Sequence, residues 1–226
     1  WSCRLVPGRA DAAGLPPPVE NEDAPALITF TSGSTGQPRG IARSCGFLMA
    51  QHRALETCLA LKPGEVDLAT LPVFVLANLA SGLTTVVAEY RPGKPGEADG
   101  MVAASQMQTW KVSRSAASPA FFQRLLGANP DLPHLRHLYT GGAPVFPSLM
   151  ERLARQFPGA VIEAVYGSSE AEPIAHLRWE DVTPGDLGAM RTGRGLLAGR
   201  CVEGLQTAVI AAEWGHPLGD LNSGVE

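Results

Sequence analysis

The sequence predicts an α/β fold, a mostly parallel sheet flanked by helices on both faces. Three observations carry that prediction. Short β-branched or apolar runs alternate with helical runs at least four times through the middle of the chain. Three loops rich in Gly, Ser and Thr or Pro, at 31–40, 141–144 and 167–170, each follow a predicted strand. Right-handed crossovers would gather such loops on one sheet edge, where open α/β sheets bind ligands. Finally, 226 residues with 45% hydrophobic and 18% charged side chains suffice for a packed core, as one large domain or two small ones.

Residues 1–25 read as a Pro-rich arm or linker, because the run PPP forbids both helix and sheet pairing. Residues 26–226 form the predicted core domain. The run ALITF (26–30) is continuous, apolar and β-branched, the pattern of a buried strand. After the first loop, 41–61 reads as a helix with Phe47, Leu48, Leu55 and Leu59 among its apolar positions, ended by KPGE. A strand at 67–71, a helix or turn through 75–83 and a strand at 84–89 follow. A loop full of breakers spans 91–100, then a helix at 101–110 and a short strand at 111–115. Ser118 is placed to cap a helix with Pro119 in its first turn and Gly127 near its end. LRHLYTGG (135–142) is a strand running into a glycine turn, PSLMERLARQFPG (147–159) an amphipathic helix, and AVIEAVYGSSE (160–170) a strand running into a second Gly/Ser loop. Beyond about residue 180 the pattern weakens.

The net charge of −4 gives no basic excess, so no nucleic-acid partner is expected. No uncharged apolar run reaches about 18 residues, so no membrane span is expected. Four scattered cysteines, Cys3, Cys45, Cys58 and Cys201, lack the spacing of a disulfide framework and predict free thiols in a cytoplasmic protein. Trp1 begins a stretch without signal-peptide layout, and the chain is expected to be a fragment or a trimmed piece.

The segment TSGSTGQPRG (31–40) combines glycines, which let backbone N–H groups turn toward an anion, with hydroxyls at Thr31, Ser32, Ser34 and Thr35 and a permanent charge at Arg39. A helix after it would point its positive end at the loop. This predicts a polyphosphate cradle. It is not a Walker A loop, since no Gly-Lys-Ser or Gly-Lys-Thr occurs in the chain. The pair His134 and His137 lacks a third metal ligand, and His52, His176 and His216 take no role. Arg191, Arg194 and Arg200 read as a solvated loop.

Three motifs in order carry a resemblance. TFTSGSTGQPRG resembles the phosphate-loop signature of the adenylate-forming superfamily, which includes acyl-CoA synthetases, peptide-synthetase adenylation domains and luciferases, with Arg39 where Lys is usual. YTGGAPV (139–145) resembles that family's Gly-Gly-Ala-Pro turn. VYGSSEAEPIA (165–175) resembles its Tyr-Gly-x-Thr-Glu motif, with Ser169 in the Thr place. The likeness runs from about residue 26 to 197.

The resemblance implies part of the large N-terminal domain of the adenylate-forming fold, with the C-terminal lid and its catalytic Lys absent. It implies ATP and Mg²⁺ as cofactors and a carboxylic acid as substrate, activated to an acyl-adenylate. It implies that Thr31, Ser32, Gly33, Ser34, Thr35 and Gly36 wrap the β- and γ-phosphates, with Arg39 beside them. Gly142, Ala143 and Pro144 would line the adenine site with Gly167, Tyr166 would stack on the ring, Ser169 would touch the α-phosphate and Glu170 would hold Mg²⁺. Thr31, Arg39 and Glu170 are thus the expected catalytic set.

Acyl-CoA synthetases often carry Pro-x-Phe-His after the third strand. Here Val75 stands in the His place after Pro72 and Phe74, and GEVDLATLPVFVLANLASGLTTVV is most similar to olefin-biosynthesis β-lactone synthetases, which act on 3-hydroxy fatty acids. Phe74, Val75, Leu76 and Leu79 fit either an acyl lining or ordinary core. CoA, a carrier protein or an internal hydroxyl are the candidate acyl acceptors. Two other readings fit the same residues: a nucleotide-binding module without catalysis, and an interaction domain that keeps only the fold.

Overall fold

The computed structural model of the chain describes residues 21–31, 39–91 and 93–208. Its main sheet has seven strands. In chain order they are β3 (Val66–Ala69), β4 (Thr84–Val87), β5 (Arg114–Ala117), β6 (His137–Gly141), β7 (Val161–Ser168), β8 (Ala171–Arg178) and β9 (Arg200–Cys201). The spatial order is β4-β3-β5-β6-β7-β8-β9. Strands β4 to β7 pair in parallel, while β8 and β9 add antiparallel at one edge. Strands 111–115 and 67–71 are shifted against expectation: Lys111 takes a φ of 50° and the Val112 amide bonds back to Met107, so 111–113 close the preceding helix.

Helices cover both faces of the sheet. On one face pack α3 (Gly100–Thr109), α4 (Pro119–Gly127) and α5 (Pro147–Gln156), around Met107, Phe121, Phe122, Leu125, Leu149 and Leu153. On the other pack α1 (Cys45–Cys58) and α2 (Pro72–Ala80), around Leu55, Leu59, Phe74 and Leu83. Strand alternation serves both layers: Leu138 and Ala164 face the first, Tyr139 and Val165 the second. Ser118 caps α4 as its sequence predicts, accepting from the Phe121 amide.

Buried Arg114 ties α1 to the sheet. Its guanidinium bonds the Leu59 and Ala60 carbonyls and pairs with Glu65 at 2.6 Å. The Tyr139 hydroxyl donates to the same Leu59 carbonyl at 2.7 Å. These donors satisfy carbonyls that the end of a helix leaves without intrahelical partners.

The N-terminal expectations need correction. The run at 26–30 does form a strand, β1 (Pro25–Thr31), but it pairs antiparallel with β2 (Arg39–Ser44) in a separate two-stranded sheet. Ile28 is 58% and Phe30 74% exposed, so β1 is not the buried strand its apolar run suggested. A continuous apolar run signals burial only where helices cover both faces, and among the described residues none does so here. The helix expected at 41–61 starts at Cys45, since 41–44 pair with β1 and the Ser44 side chain caps the Phe47 amide at 3.2 Å. A strand, not a helix, therefore follows the first glycine-rich loop. Strands β8 and β9 and helix α6 (Pro184–Arg191) were not expected; α6 opens with a capping box between Thr183 and Asp186.

Candidate functional site

A cleft of about 580 Å³ opens at the edge where β6 and β7 end. It is lined by 142–145 from the turn after β6, by 164–167 from β7 and by 196–198 from the segment before β9. The turn depends on its glycines. A Cβ at Gly141 would lie 2.5 Å from the Val165 carbonyl oxygen, so only glycine lets β6 run this close to β7. Gly142 takes a φ of 73°, the left-handed region that glycine adopts without strain. The chain then reverses and lays Ala143, Pro144 and Val145 along the cleft.

Tyr166 projects from β7 at the cleft and is 56% exposed. The expected adenine set, Gly142, Ala143, Pro144, Tyr166 and Gly167, is therefore assembled around one cavity. Leu196, Leu197 and Ala198 complete the wall. Nothing in the sequence around 193–199 marked them beyond a run of glycines, of which Gly193, Gly195 and Gly199 take positive φ.

Ser169 and Glu170 form the tight turn between β7 and β8, where Ser168 pairs with Ala171. Ser169 is half-buried and Glu170 exposed. They follow Gly167 of the lining by two and three residues and are not part of it. Ser32, Gly33, Ser34, Thr35 and Gly36 lie outside the described residues, and for Thr31 and Arg39 the backbone alone is described, as the facing ends of β1 and β2. A strand, β2, and not the expected helix follows the loop in the chain. The N-terminus of α1 instead begins six residues beyond Arg39.

Arg43, which the sequence did not single out, joins these parts. It is 5% exposed. One of its nitrogens donates to Thr29 Oγ1 at 3.0 Å and another to the Ser169 carbonyl at 2.5 Å, and its guanidinium lies 6.0 Å from the Phe47 ring. The stem of the glycine-rich loop is thus tied to the turn that carries Ser169 and Glu170. The sequence signal available was weak: an Arg inside an apolar-flanked strand, GIARS.

Beside the cleft lies a small recess between α2 and the ends of β6 and β7. Phe74, Leu71, Tyr139, Gly141, Val165 and Glu172 line it. Burial pushes the Glu172 carboxyl above its ordinary range, and the Arg43 guanidinium opposes that shift. Of the four apolar residues that fitted either an acyl lining or ordinary core, Phe74 is buried and faces this recess, Val75 is half-buried, and Leu76 and Leu79 are exposed on α2. His137 stacks on Tyr139 at 6.1 Å, and burial lowers its pKa, in keeping with a packing role. Arg191, Arg194 and Arg200 are exposed, but they do not share the expected loop: Arg191 ends α6 and Arg200 stands in β9, leaving Arg194 in the loop between them.

The donor set suits an adenine nucleotide. The cleft offers an open aromatic ring, apolar walls and a peptide turn of small residues, the features that hold a flat base. An exposed carboxylate, Glu170, follows Gly167 of the lining by three residues, and carboxylate oxygens suit Mg²⁺.

Known proteins match this arrangement. The family model for AMP-binding enzymes matches residues 4–225. An olefin β-lactone synthetase from Xanthomonas campestris pv. campestris is 34% identical over 80% of this chain and 32% of its own length. One from Stenotrophomonas maltophilia is 31% identical over 94% of this chain and 38% of its own. The chain thus spans about a third of the length of these relatives. Among solved structures, the N-terminal domain of FACL13 from Mycobacterium tuberculosis superposes with a TM-score of 0.65 at 23% identity, covering 86% of this chain and 48% of that one. The fold, the cleft between the two glycine-bearing strand ends and the extent of the family match agree: this chain belongs to the AMP-binding enzyme family.

Proposed function

We propose that this chain supplies the nucleotide cleft of an ATP-dependent acid–AMP ligase that activates a fatty or 3-hydroxy fatty acid. The observation that carries the reading is the cleft itself: Tyr166, Gly167 and the 142–144 turn converge there in a chain that belongs to the AMP-binding family. Residues 26–226 would be part of the AMP-binding domain.

In this reading Tyr166 stacks on adenine while Gly142, Ala143 and Pro144 pack along its edge. The Ser169 hydroxyl meets the α-phosphate, and Glu170 holds Mg²⁺, which would neutralise phosphate charge when bound. Thr31 to Gly36 and Arg39 grip the β- and γ-phosphates. An acid carboxylate oxygen attacks the α-phosphorus, a P–O bond to the acid forms, and the bond to pyrophosphate breaks. No proton need move, because the acid is already ionised near neutrality. The chain's contribution is alignment of the two reactants.

The substrate class rests on the relatives' names. A β-lactone is the four-membered cyclic ester of a 3-hydroxy acid, so a β-lactone synthetase must handle such an acid, and the acyl acceptor becomes the substrate's own hydroxyl rather than CoA or a carrier protein. Free thiols at Cys45, Cys58 and Cys201 support a reducing, cytoplasmic setting, and no helix among the described residues is long and apolar enough to cross a membrane.

Non-reactive acyl-sulfamoyl adenosines test the reading without turnover. Long 3-hydroxyacyl analogues should bind the chain more tightly than short or unsubstituted ones. Equal affinity across the series would remove the substrate assignment, and no binding of any analogue would remove acid adenylation.

A further inference from the structure

Three metal-binding donors of different chemistry meet behind the β7 residues that line the cleft. Cys58 ends α1, Glu163 lies in β7, and His176 lies in β8 opposite Val165. One ligating atom from each lies within 4.8 Å of the others. Glu163 is only 1% exposed. Its Oε1 meets His176 Nδ1, and its Oε2 stands 3.4 Å from Arg178 Nε.

We propose that Cys58 Sγ, Glu163 Oε1 and His176 Nδ1 form a structural site for a zinc-class divalent cation. Sulfur, carboxylate and imidazole together are a donor set that zinc favours over Mg²⁺ or Ca²⁺. Bond lengths of about 2.0–2.3 Å in a tetrahedron put ligand atoms roughly 3.3–3.8 Å apart, so closing the site needs side-chain shifts of about 1 Å. Cys58 gives up its thiol proton to solvent as the cation binds, so that thiolate and carboxylate balance the +2 charge. The part-exposed ring of His176 leaves an entry path and room for water as fourth ligand, and Arg178 remains on Glu163 Oε2 as an outer partner. The cation would pin the end of α1 to the β7–β8 hairpin, which carries Tyr166, Ser169 and Glu170. The site does not depend on the adenylation reading.

Titrating the metal-free, reduced chain with Co²⁺ tests this. A four-coordinate cobalt spectrum with a thiolate charge-transfer band is expected, bleached by added Zn²⁺. Cys58→Ser should abolish the band and weaken Zn²⁺ binding by roughly 100-fold or more, at least the cost of losing an outer-shell partner. Cys45→Ser and Cys201→Ser should leave it unchanged, and Zn²⁺ should raise the melting temperature of wild type but not of Cys58→Ser. Should Cys58→Ser not fold, His176→Gln should weaken Co²⁺ and Zn²⁺ binding and remove the zinc-dependent rise in melting temperature. A buried ion pair alone would give no cobalt band and no zinc-dependent shift in melting, and either that result or a band surviving in Cys58→Ser overturns the proposal.

Discussion

Replacing Arg43 by methionine should loosen the join between the β1–β2 hairpin and the cleft. Methionine keeps an apolar stem against Phe47 and deletes both donors. The two bonds lost are to Thr29 Oγ1 at 3.0 Å and to the Ser169 carbonyl at 2.5 Å. A hydrogen bond from a charged donor contributes about 1.5–3 kcal/mol net. The Thr29 hydroxyl sits in a part-exposed strand, where water replaces the lost donor cheaply. The total is therefore about 2–4 kcal/mol, below the simple sum. With a urea m-value of roughly 2–3 kcal/mol/M, the unfolding midpoint should fall by about 1 M. Arg43→Lys keeps the charge but reaches one acceptor, and should recover about half of the loss. Because Arg43 also opposes the upward shift of Glu172, its removal should move the Glu172 titration to higher pH, as read by carboxyl carbon NMR. A midpoint unmoved in Arg43→Met, with Glu172 titrating as before, would refute the clamp.

Two further perturbations probe the sheet and the turn. Burial raises the Asp67 carboxyl from 3.8 to about 7, although the Asn78 amide and the Arg114 charge act against it. Below about pH 4 the group is protonated folded and unfolded alike; between pH 4 and 7 the folded chain holds the extra proton, so stability declines as pH rises, by at most roughly 4 kcal/mol, and levels off above 7. Asp67→Asn should flatten that stretch of a stability–pH curve, and an unchanged slope would show that another group causes it. Gly141→Ala puts a Cβ 2.5 Å from the Val165 carbonyl oxygen, a backbone atom that cannot swing aside. It should cost about 1–3 kcal/mol and weaken nucleotide binding; a melting temperature equal to wild type would show that β6 and β7 have slack.

Much of this architecture was legible because local signals agreed with the global pattern. Helix α4 is announced by Ser118-Pro119 and closes at Gly127, and the strands through Leu138 and Ile162 are apolar runs in a sheet covered on both sides. The turns at 141–144 and 167–170 could be paired in advance because both follow parallel strands, which end on the same edge. What stayed hidden depends on tertiary partners. The run at 26–30 carries the composition of a buried strand, yet its exposure is set by what lies over it. Strand β8 buries alternate residues, Pro173, Ala175 and Leu177, but its small residues and the Pro, Glu and His among them give no plain strand signal; it forms because β7 offers an open edge. Arg43 and the Cys58–Glu163–His176 cluster unite residues 126 and more than 100 positions apart, respectively, distances over which no spacing rule applies.

The central claim is that Tyr166 and the 142–144 turn hold an adenine nucleotide. Calorimetric titration of ATP with Mg²⁺ into wild type and Tyr166→Ala tests it most directly. Loss of one aromatic–base stack costs about 1–3 kcal/mol, so the account predicts one ATP site in wild type and a dissociation constant raised by roughly 10- to 100-fold in Tyr166→Ala. Absence of ATP binding to the folded wild-type chain, or equal affinity in the two proteins, would contradict it.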